Sequence, residues 1–268
     1  LPFWFSREIP ALTDALFETI SGFTTTGASI LTNVEGLSPS MLMWRSFTHW
    51  VGGMGVLVFI LAILPLVGGG YNMHLMRAES PGPSVGKLTP KVKTTAKILY
   101  VIYLVMTIIQ VIRLLLGGMP LFDSLATSFG TAGTGGFGIK NSSIAYYDSY
   151  YLQGVITVFM ILFGINFNVY YLFSIKRFKE GLRCEEARTY LGIILVSVLC
   201  ITWNVKDMFP SLFDAFHHTA FQVGSIITTT GFSTVDFDQW PQFSKTILVG
   251  LMLIGACAGS TGGGMKVS

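Results

Sequence analysis

Charge is what this sequence has least of. Only 12% of its 268 residues are Asp, Glu, Lys or Arg, against about 25% in ordinary soluble domains, while 51% are hydrophobic and the mean hydropathy is +0.61. So little charge excludes a soluble globular domain and marks an integral membrane protein. The net charge of +3 is too small and too scattered for a nucleic-acid partner. Cysteine is also scarce: Cys184, Cys200 and Cys257 form neither a disulfide framework nor a metal-ligand spacing, and read as small apolar residues in or near the bilayer. No Ser/His/Asp grouping or carboxylate pair points to catalysis, so the chain does not read as an enzyme. It lacks an initiator methionine at Leu1 and a signal pattern, and stops at Ser268 just past a glycine-rich run, so an internal fragment is expected.

What the sequence does have is one short pattern three times over. The copies are Phe23-Thr24-Thr25-Thr26-Gly27, Gly133-Thr134-Gly135-Gly136-Phe137 and Thr228-Thr229-Thr230-Gly231-Phe232, each beside strongly apolar sequence. Asp14 precedes Gly27 by the same spacing as Asp123 precedes Gly136. The same count back from Gly231 lands on His218, with Gln222 and Ser225 matching Glu18 and Ser21. The copies lie about a hundred residues apart, too far for a solenoid repeat and suited to a repeated membrane unit.

A helix of about ten residues is expected from an N-cap at Thr13 to Ser21 or Gly22. Spanning a bilayer takes about twenty apolar residues, so a short apolar helix ending in Thr-Thr-Thr-Gly has the look of a re-entrant pore helix. Residues 41–67 are long enough to cross, with Gly52, Gly53 and Gly55 allowing close helix contact. Residues 98–116, 150–173 and 191–203 with its flanks read as further spans. Residues 246–258 begin a last one that meets Gly259-Ser260-Thr261-Gly262-Gly263-Gly264, and Pro120 and Pro210 open the second and third short helices. The period is span, short helix with polar loop, span.

Ten of the seventeen Lys and Arg fall in two loops: Arg77, Lys87, Lys91, Lys93 and Lys97, then Lys176, Arg177, Lys179, Arg183 and Arg188. The positive-inside rule makes loops 71–97 and 176–188 cytoplasmic, so the three Thr/Gly loops open from the outer side. Trp4, Trp44, Trp50, Trp203 and Trp240 fall near the expected outer ends, as an interfacial belt would.

Non-helical backbone at membrane depth is tolerated only where it is buried in protein or lines water, because unpaired carbonyls in lipid are costly. A dehydrated alkali cation is a natural partner for such carbonyls, since it takes a ring of oxygens in place of its hydration shell. Threonine adds hydroxyl oxygens and glycine permits the backbone geometry. The short helix also turns its partially negative C-terminal end to the same place. A single copy reads as well as a helix C-cap and turn; three copies at matching positions weigh against that.

Other polar residues leave more room. Residues 259–264 resemble a phosphate-cradling loop but lack its spacing and its preceding strand. Asn166 and Asn168 line a pore or hydrogen-bond between helices. His217 and His218 diverge on a helix and read as solvent-facing rather than as a metal pair. Arg113 snorkels from a span end, Lys266 either repels cations or lies at the interface, and the direction of Glu18 is unsettled.

Four stretches carry a family resemblance: Ser21-Gly22-Phe23-Thr24-Thr25-Thr26-Gly27-Ala28, Trp50-Val51-Gly52-Gly53-Met54-Gly55, Arg77-Ala78-Glu79-Ser80-Pro81-Gly82-Pro83, and Gly255-Ala256-Cys257-Ala258 through the glycine run to Met265-Lys266. Over essentially the whole chain the sequence resembles the Trk/Ktr/HKT superfamily of cation transporters, and within it the Trk potassium-uptake branch. The resemblance implies an all-α membrane protein with repeated M1-P-M2 units, their re-entrant pore helices and filter loops set around a central pore. Residues 1–70 would hold the pore helix, filter loop and M2 of a first repeat, 71–175 a second repeat, and 176–268 a third truncated in M2, with the fourth absent.

The function implied is potassium uptake across a bacterial inner (plasma) membrane, channel-like or by symport, through a selectivity filter at Thr25, Thr26, Gly27, Thr134, Gly135, Gly136, Thr229, Thr230 and Gly231. The family's loop glycine sets selectivity, and Gly27 stands where some sodium-transporting plant relatives carry serine. Gly133-Thr134-Gly135 has fewer hydroxyls, so its backbone must supply its share. Gly259, Ser260, Thr261, Gly262, Gly263 and Gly264 would form an intramembrane gating loop, its glycines lending flexibility and its hydroxyls a polar lining. Potassium is then the transported substrate, with no organic cofactor in this chain. The partners implied are a second copy in a homodimer, a cytosolic nucleotide-binding regulatory subunit of the TrkA type on the basic face, and membrane lipid. Sodium or mixed alkali-cation transport, an intramembrane enzyme using Ser260, and a structural subunit are the alternatives.

Overall fold

The computed structural model describes residues 2–55 and 92–267. Among them the regular elements are helical. In order they are α1 (Pro2–Phe5), α2 (Leu12–Phe23), α3 (Pro39–Gly53), α4 (Val92–Leu116), α5 (Leu121–Ala132), α6 (Tyr150–Phe163), α7 (Phe167–Ser174), α8 (Phe178–Leu182), α9 (Glu185–Val205), α10 (Leu212–Ile227) and α11 (Gln242–Ile254). A helix, a Thr/Gly loop, a 3₁₀ turn and a second helix recur three times, as α2 to α3, α5 to α6 and α10 to α11.

Local chemistry sets the helix starts. Ser38, Ser149 and Ser211 cap α3, α6 and α10 by accepting from Met41 N, Leu152 N and Asp214 N, and Pro120 is the N-cap of α5. The expected cap at Thr13 is not made: α2 begins two residues earlier, at Leu12 after the N-cap Ala11, and the Thr13 hydroxyl donates to the Asp14 carboxylate instead. The third short helix is also a turn longer than the other two. Its first-turn acid is Asp214, where α2 has Asp14 and α5 has Asp123, so the count that lands on His218 falls inside the helix.

Lys97–Leu116 and Glu185–Met208 are long and apolar enough to cross a membrane. Their exposed faces carry Val101, Leu104, Val105, Ile108 and Ile112, and Leu191, Leu195, Leu199 and Trp203, while Thr107, Gln110, Ser197 and Thr202 are buried. That inverts the pattern of a soluble helix and suits a lipid surround. Inside, Tyr190, Ile194, Val198 and Ile201 of α9 pack on Val223, Ile226 and Ile227 of α10 and on Leu248 and Leu251 of α11.

Residues 150–173 are not one continuous span. α6 and α7 meet at 91° across residues 164–166. Gly164 has no room for a Cβ, which would stand 2.3 Å from the Tyr190 hydroxyl, and Asn166 caps α7 by accepting from Asn168 N at 2.9 Å. The glycine run and the residues just before it pair the freed backbone: Cys257 N donates to Gly164 O (3.1 Å), Phe167 N to Gly259 O (3.0 Å) and the Thr261 hydroxyl to Phe163 O (3.2 Å). Such pairing is what makes a broken helix tolerable at membrane depth. The last crossing stops at Ile254, four residues before the expected end, because Gly255 turns to φ 73°.

The tryptophans divide. Trp240 is buried in the core beside α9 to α11. Trp50 packs among Tyr100, Tyr103 and Phe129 and donates Nε1–H to the Thr107 hydroxyl at 3.1 Å. Trp4 and Trp203 remain exposed as a belt requires. Residues 56–67 of the first expected span, basic residues Arg77, Lys87 and Lys91, and the Arg77 to Pro83 motif lie outside the described residues.

Candidate ion-binding loops and the glycine run docked on them

The three short helices end alike. Thr26 N, Gly135 N and Thr230 N reach back to Ser21 O, Gly130 O and Ser225 O at 3.0, 3.1 and 2.9 Å. Thr25 N, Thr134 N and Thr229 N reach Gly22 O, Thr131 O and Ile226 O at 3.2, 3.0 and 3.0 Å. This is the Schellman pattern, whose left-handed position is usually glycine. Here that position is Thr25, Thr134 and Thr229, at φ 53°, 50° and 58°. A β-branched residue held there costs of order 1–3 kcal/mol and persists only where its surroundings enforce it. Two residues on, Gly27, Gly136 and Gly231 take φ 74°, 73° and 84°. The helix-cap reading and the repeated-loop reading therefore describe one geometry.

Past the cap the backbone is bare. The carbonyls of Thr25, Thr26, Gly27, Thr134, Gly135, Gly136, Thr229, Thr230 and Gly231 accept no hydrogen bond from any described group. The loops also touch in series. A Cβ on Gly27 would stand 2.0 Å from Gly135 O and one on Gly136 1.8 Å from Thr230 O, while one on Gly231 would meet nothing within 4 Å.

Bracing differs between copies. Ser21 and Ser225 donate to Ala28 O and Phe232 O at 2.6 and 2.5 Å, and the hydroxyl pairs Thr24/Thr26 and Thr228/Thr230 lie 2.8 and 2.7 Å apart. The second loop has Gly130, Gly133 and Gly135 at those places and is held from α3. His49 Nδ1 accepts from Phe137 N at 3.3 Å, and its ring stacks on Phe137 at 3.9 Å. Arg45 donates through one terminal nitrogen to Gly138 O at 2.8 Å and lies 3.6 Å above the Phe137 ring. Close contact at Gly52 and Gly53 is made: added Cβ atoms would stand 2.2 Å from Phe23 O and 2.5 Å from Gly133 Cα.

The direction of Glu18 is settled by Arg45. The carboxylate is fully buried, takes Arg45 Nε–H at 2.5 Å, and accepts from the Ser29 hydroxyl and from Ile30 N at 3.1 Å. Sequence reasoning passed over Arg45 and His49, although a lone Arg and a lone Glu in apolar segments are a signal for a pair. His217 and His218 are packed rather than solvent-facing. His217 is buried and meets Gln153 Oε1 at 2.8 Å, while His218 stacks on Phe209 and meets the Thr234 hydroxyl at 3.0 Å. On the connection after the second loop, the Tyr147 hydroxyl donates to Asp123 at 2.6 Å; burial first, then that bond, push its pKa well above the usual value.

The glycine run docks on the second and third loops. Thr134 donates to Thr261 O at 2.9 Å, and Gly263 N donates to the Thr229 hydroxyl at 2.8 Å. Two of the three left-handed threonines thus hold this segment. Its glycines are needed for approach: a Cβ on Gly262 would stand 2.5 Å from Ala256 Cβ, and one on Gly263 3.0 Å from the Thr229 hydroxyl. The Ser260 hydroxyl donates to Cys257 O (2.6 Å), and Lys266 Nζ turns back to Gly262 O. From the other side Glu186 accepts from Ala258 N and from Asn166 Nδ2, the latter at 3.0 Å, so Asn166 makes an interhelical bond. Gly259 and Gly264 take φ 70° and 85°.

The family TrkH, cation transport protein, matches residues 1–206 and 195–268. The Trk system potassium uptake protein TrkH of Salmonella typhimurium is 40% identical over 273 residues, covering 100% of this chain and 56% of the relative. The Trk system potassium uptake protein TrkG of Escherichia coli is 36% identical over 269 residues, covering 99% of this chain and 55% of the relative. The crystal structure of the potassium transporter TrkH from Vibrio parahaemolyticus superposes with a TM-score of 0.81 at 36% identity, covering 96% of this chain and 53% of that one. The chain spans about half the length of the relatives it matches.

Proposed function

The chain belongs to the TrkH family of cation transport proteins, and we propose that it is part of a potassium-uptake protein whose three Thr/Gly loops line a selectivity filter. The observation that carries this is the set of unpaired carbonyls at Thr25, Thr26, Gly27, Thr134, Gly135, Gly136, Thr229, Thr230 and Gly231. Thr134, Gly135 and Thr230 are buried, where backbone groups are almost always paired, and a desolvated potassium ion is the partner such oxygens suit. The strained threonines support the same reading, since strain recurring at one position of each copy is kept for a purpose.

The short helices α2, α5 and α10 then act as re-entrant pore helices within M1-P-M2 repeats at 1–70, 71–175 and 176–268, and a further loop of the same kind fits beside Gly231. Gly259, Ser260, Thr261, Gly262, Gly263 and Gly264 form a gating loop, latched to the filter through Thr134 and Thr229 and to α9 through Glu186. The filter opens to the outside. Lys176, Arg177, Lys179 and Arg183, all exposed, face the cytoplasm, where a nucleotide-binding regulatory subunit docks on a homodimer.

Potassium uptake by the complete protein, in cells without their own uptake systems and with sodium as competitor, tests this reading. Gly27→Ser is expected to lose discrimination against sodium, because its Cβ displaces Gly135 O. Discrimination equal to the unsubstituted protein would sink the filter assignment.

A further inference from the structure

We propose that Glu18 and Arg45 are the positioning pair that fixes the spacing of the first two loops, and with it the choice of potassium over sodium. This rests on the filter reading above and names residues outside the filter. One guanidinium joins both loops just past their glycines. Arg45 Nε binds the Glu18 carboxylate, which holds Ser29 and Ile30 beyond Gly27; a terminal nitrogen binds Gly138 O, beyond Gly136; and the guanidinium lies over Phe137 between them.

Stability does not account for the pair. Taking two charges out of water is expensive, and apolar residues of similar volume often do as well. The other repeats carry uncharged residues at the same places. Thr127 and Gln222 precede Gly136 and Gly231 by the distance that Glu18 precedes Gly27, and Ile156 and Leu248 follow their N-caps by the distance that Arg45 follows Ser38. The unit therefore forms without ions. What the pair adds is a rigid planar fork that sets two carbonyl-bearing loops at one separation, which a lysine's single point charge cannot do. Where a carbonyl ring selects an alkali cation by cavity size, discrimination follows that spacing.

The test is flux of potassium and sodium through the full-length protein in liposomes, for Arg45→Lys and Glu18→Gln, with size-exclusion profiles reporting folding. Arg45→Lys is expected to lower the potassium-to-sodium ratio by about tenfold, equivalent to ~1.4 kcal/mol in relative ion affinity. Glu18→Gln should shift the ratio in the same direction by less. A reduced rate with an unchanged ratio would assign the pair a merely structural role and overturn the proposal. Should Arg45→Lys fail to fold, Glu18→Gln decides on the same readout. An unsubstituted protein that does not itself prefer potassium would overturn the filter reading, a result distinct from failure of the pair alone.

Discussion

The first and third loops build their backbone one way and the second builds it another. In the outer two, serine and threonine hydroxyls staple the loop to itself, Ser21 to Ala28 O and Ser225 to Phe232 O. In the second, Gly130, Gly133 and Gly135 remove every staple, and the last two admit α3, which supplies His49 and Arg45 as braces from outside. The dihedrals agree all the same: Thr134 and Gly136 lie within a few degrees of Thr25 and Gly27. What is repeated is a backbone shape with its carbonyls left bare. The side chains that impose it are chosen by what lies behind each loop.

The largest way to break this comparison is to put a side chain where the second loop has none. In Gly135→Ala the new Cβ would stand 2.5 Å from His49 Nδ1, while the equivalent Thr26 and Thr230 carry side chains already. Overpacking of this kind costs roughly 1–3 kcal/mol. Potassium uptake should fall to background, with a lowered melting temperature. Combining it with His49→Ala should recover part of the uptake, since the clash is with that ring. Full activity of Gly135→Ala alone would mean that α3 does not brace the loop.

A smaller effect is expected from removing a staple. Ser225→Ala leaves the carbonyl of buried Phe232 without its donor, and an orphaned buried group costs about 1–3 kcal/mol. Ser21→Ala should cost less, because Ala28 is exposed and water replaces the hydroxyl. Thermal unfolding of the two purified variants gives the order, and equal losses would show that burial does not set the strength of the staple.

Much of this was legible in the sequence, for reasons the comparison explains. The outer loops announce themselves through Thr-Thr-Thr-Gly, and the second is found by its spacing from Asp123 and its glycines. The third helix misled the count because α10 has an extra turn, which leaves the loop unchanged but moves the acid to Asp214. The break between α6 and α7 was hidden because its flanks are apolar and its partners, Cys257, Gly259 and Thr261, lie nearly a hundred residues away. Arg45 was hidden likewise: only the fold brings it to Glu18 and Gly138. His217 and His218 read as solvent-facing because helix geometry separates them, yet neighbouring segments supply Gln153 and Thr234. Local patterns thus revealed what the loops share, and long-range contacts determine how each is held.

The smallest effect separates the left-handed threonines from one another. Replacing any of them with valine keeps the β-branch, and so the backbone strain, and removes only the hydroxyl. In Thr229→Val the Gly263 N–H loses its acceptor, which should weaken docking of the glycine run by about 0.5–1.5 kcal/mol and raise resting potassium leak through the full-length protein. Thr134→Val removes a donor to Thr261 O and should act in the same direction. The Thr25 hydroxyl makes no hydrogen bond among the described residues, so Thr25→Val should leave the leak within measurement error. If all three raised the leak equally, the hydroxyls would be acting on the carbonyl loops themselves. If only Thr229 and Thr134 did so, the strained position would carry two duties, shaping the carbonyls above it and holding the segment that docks on it.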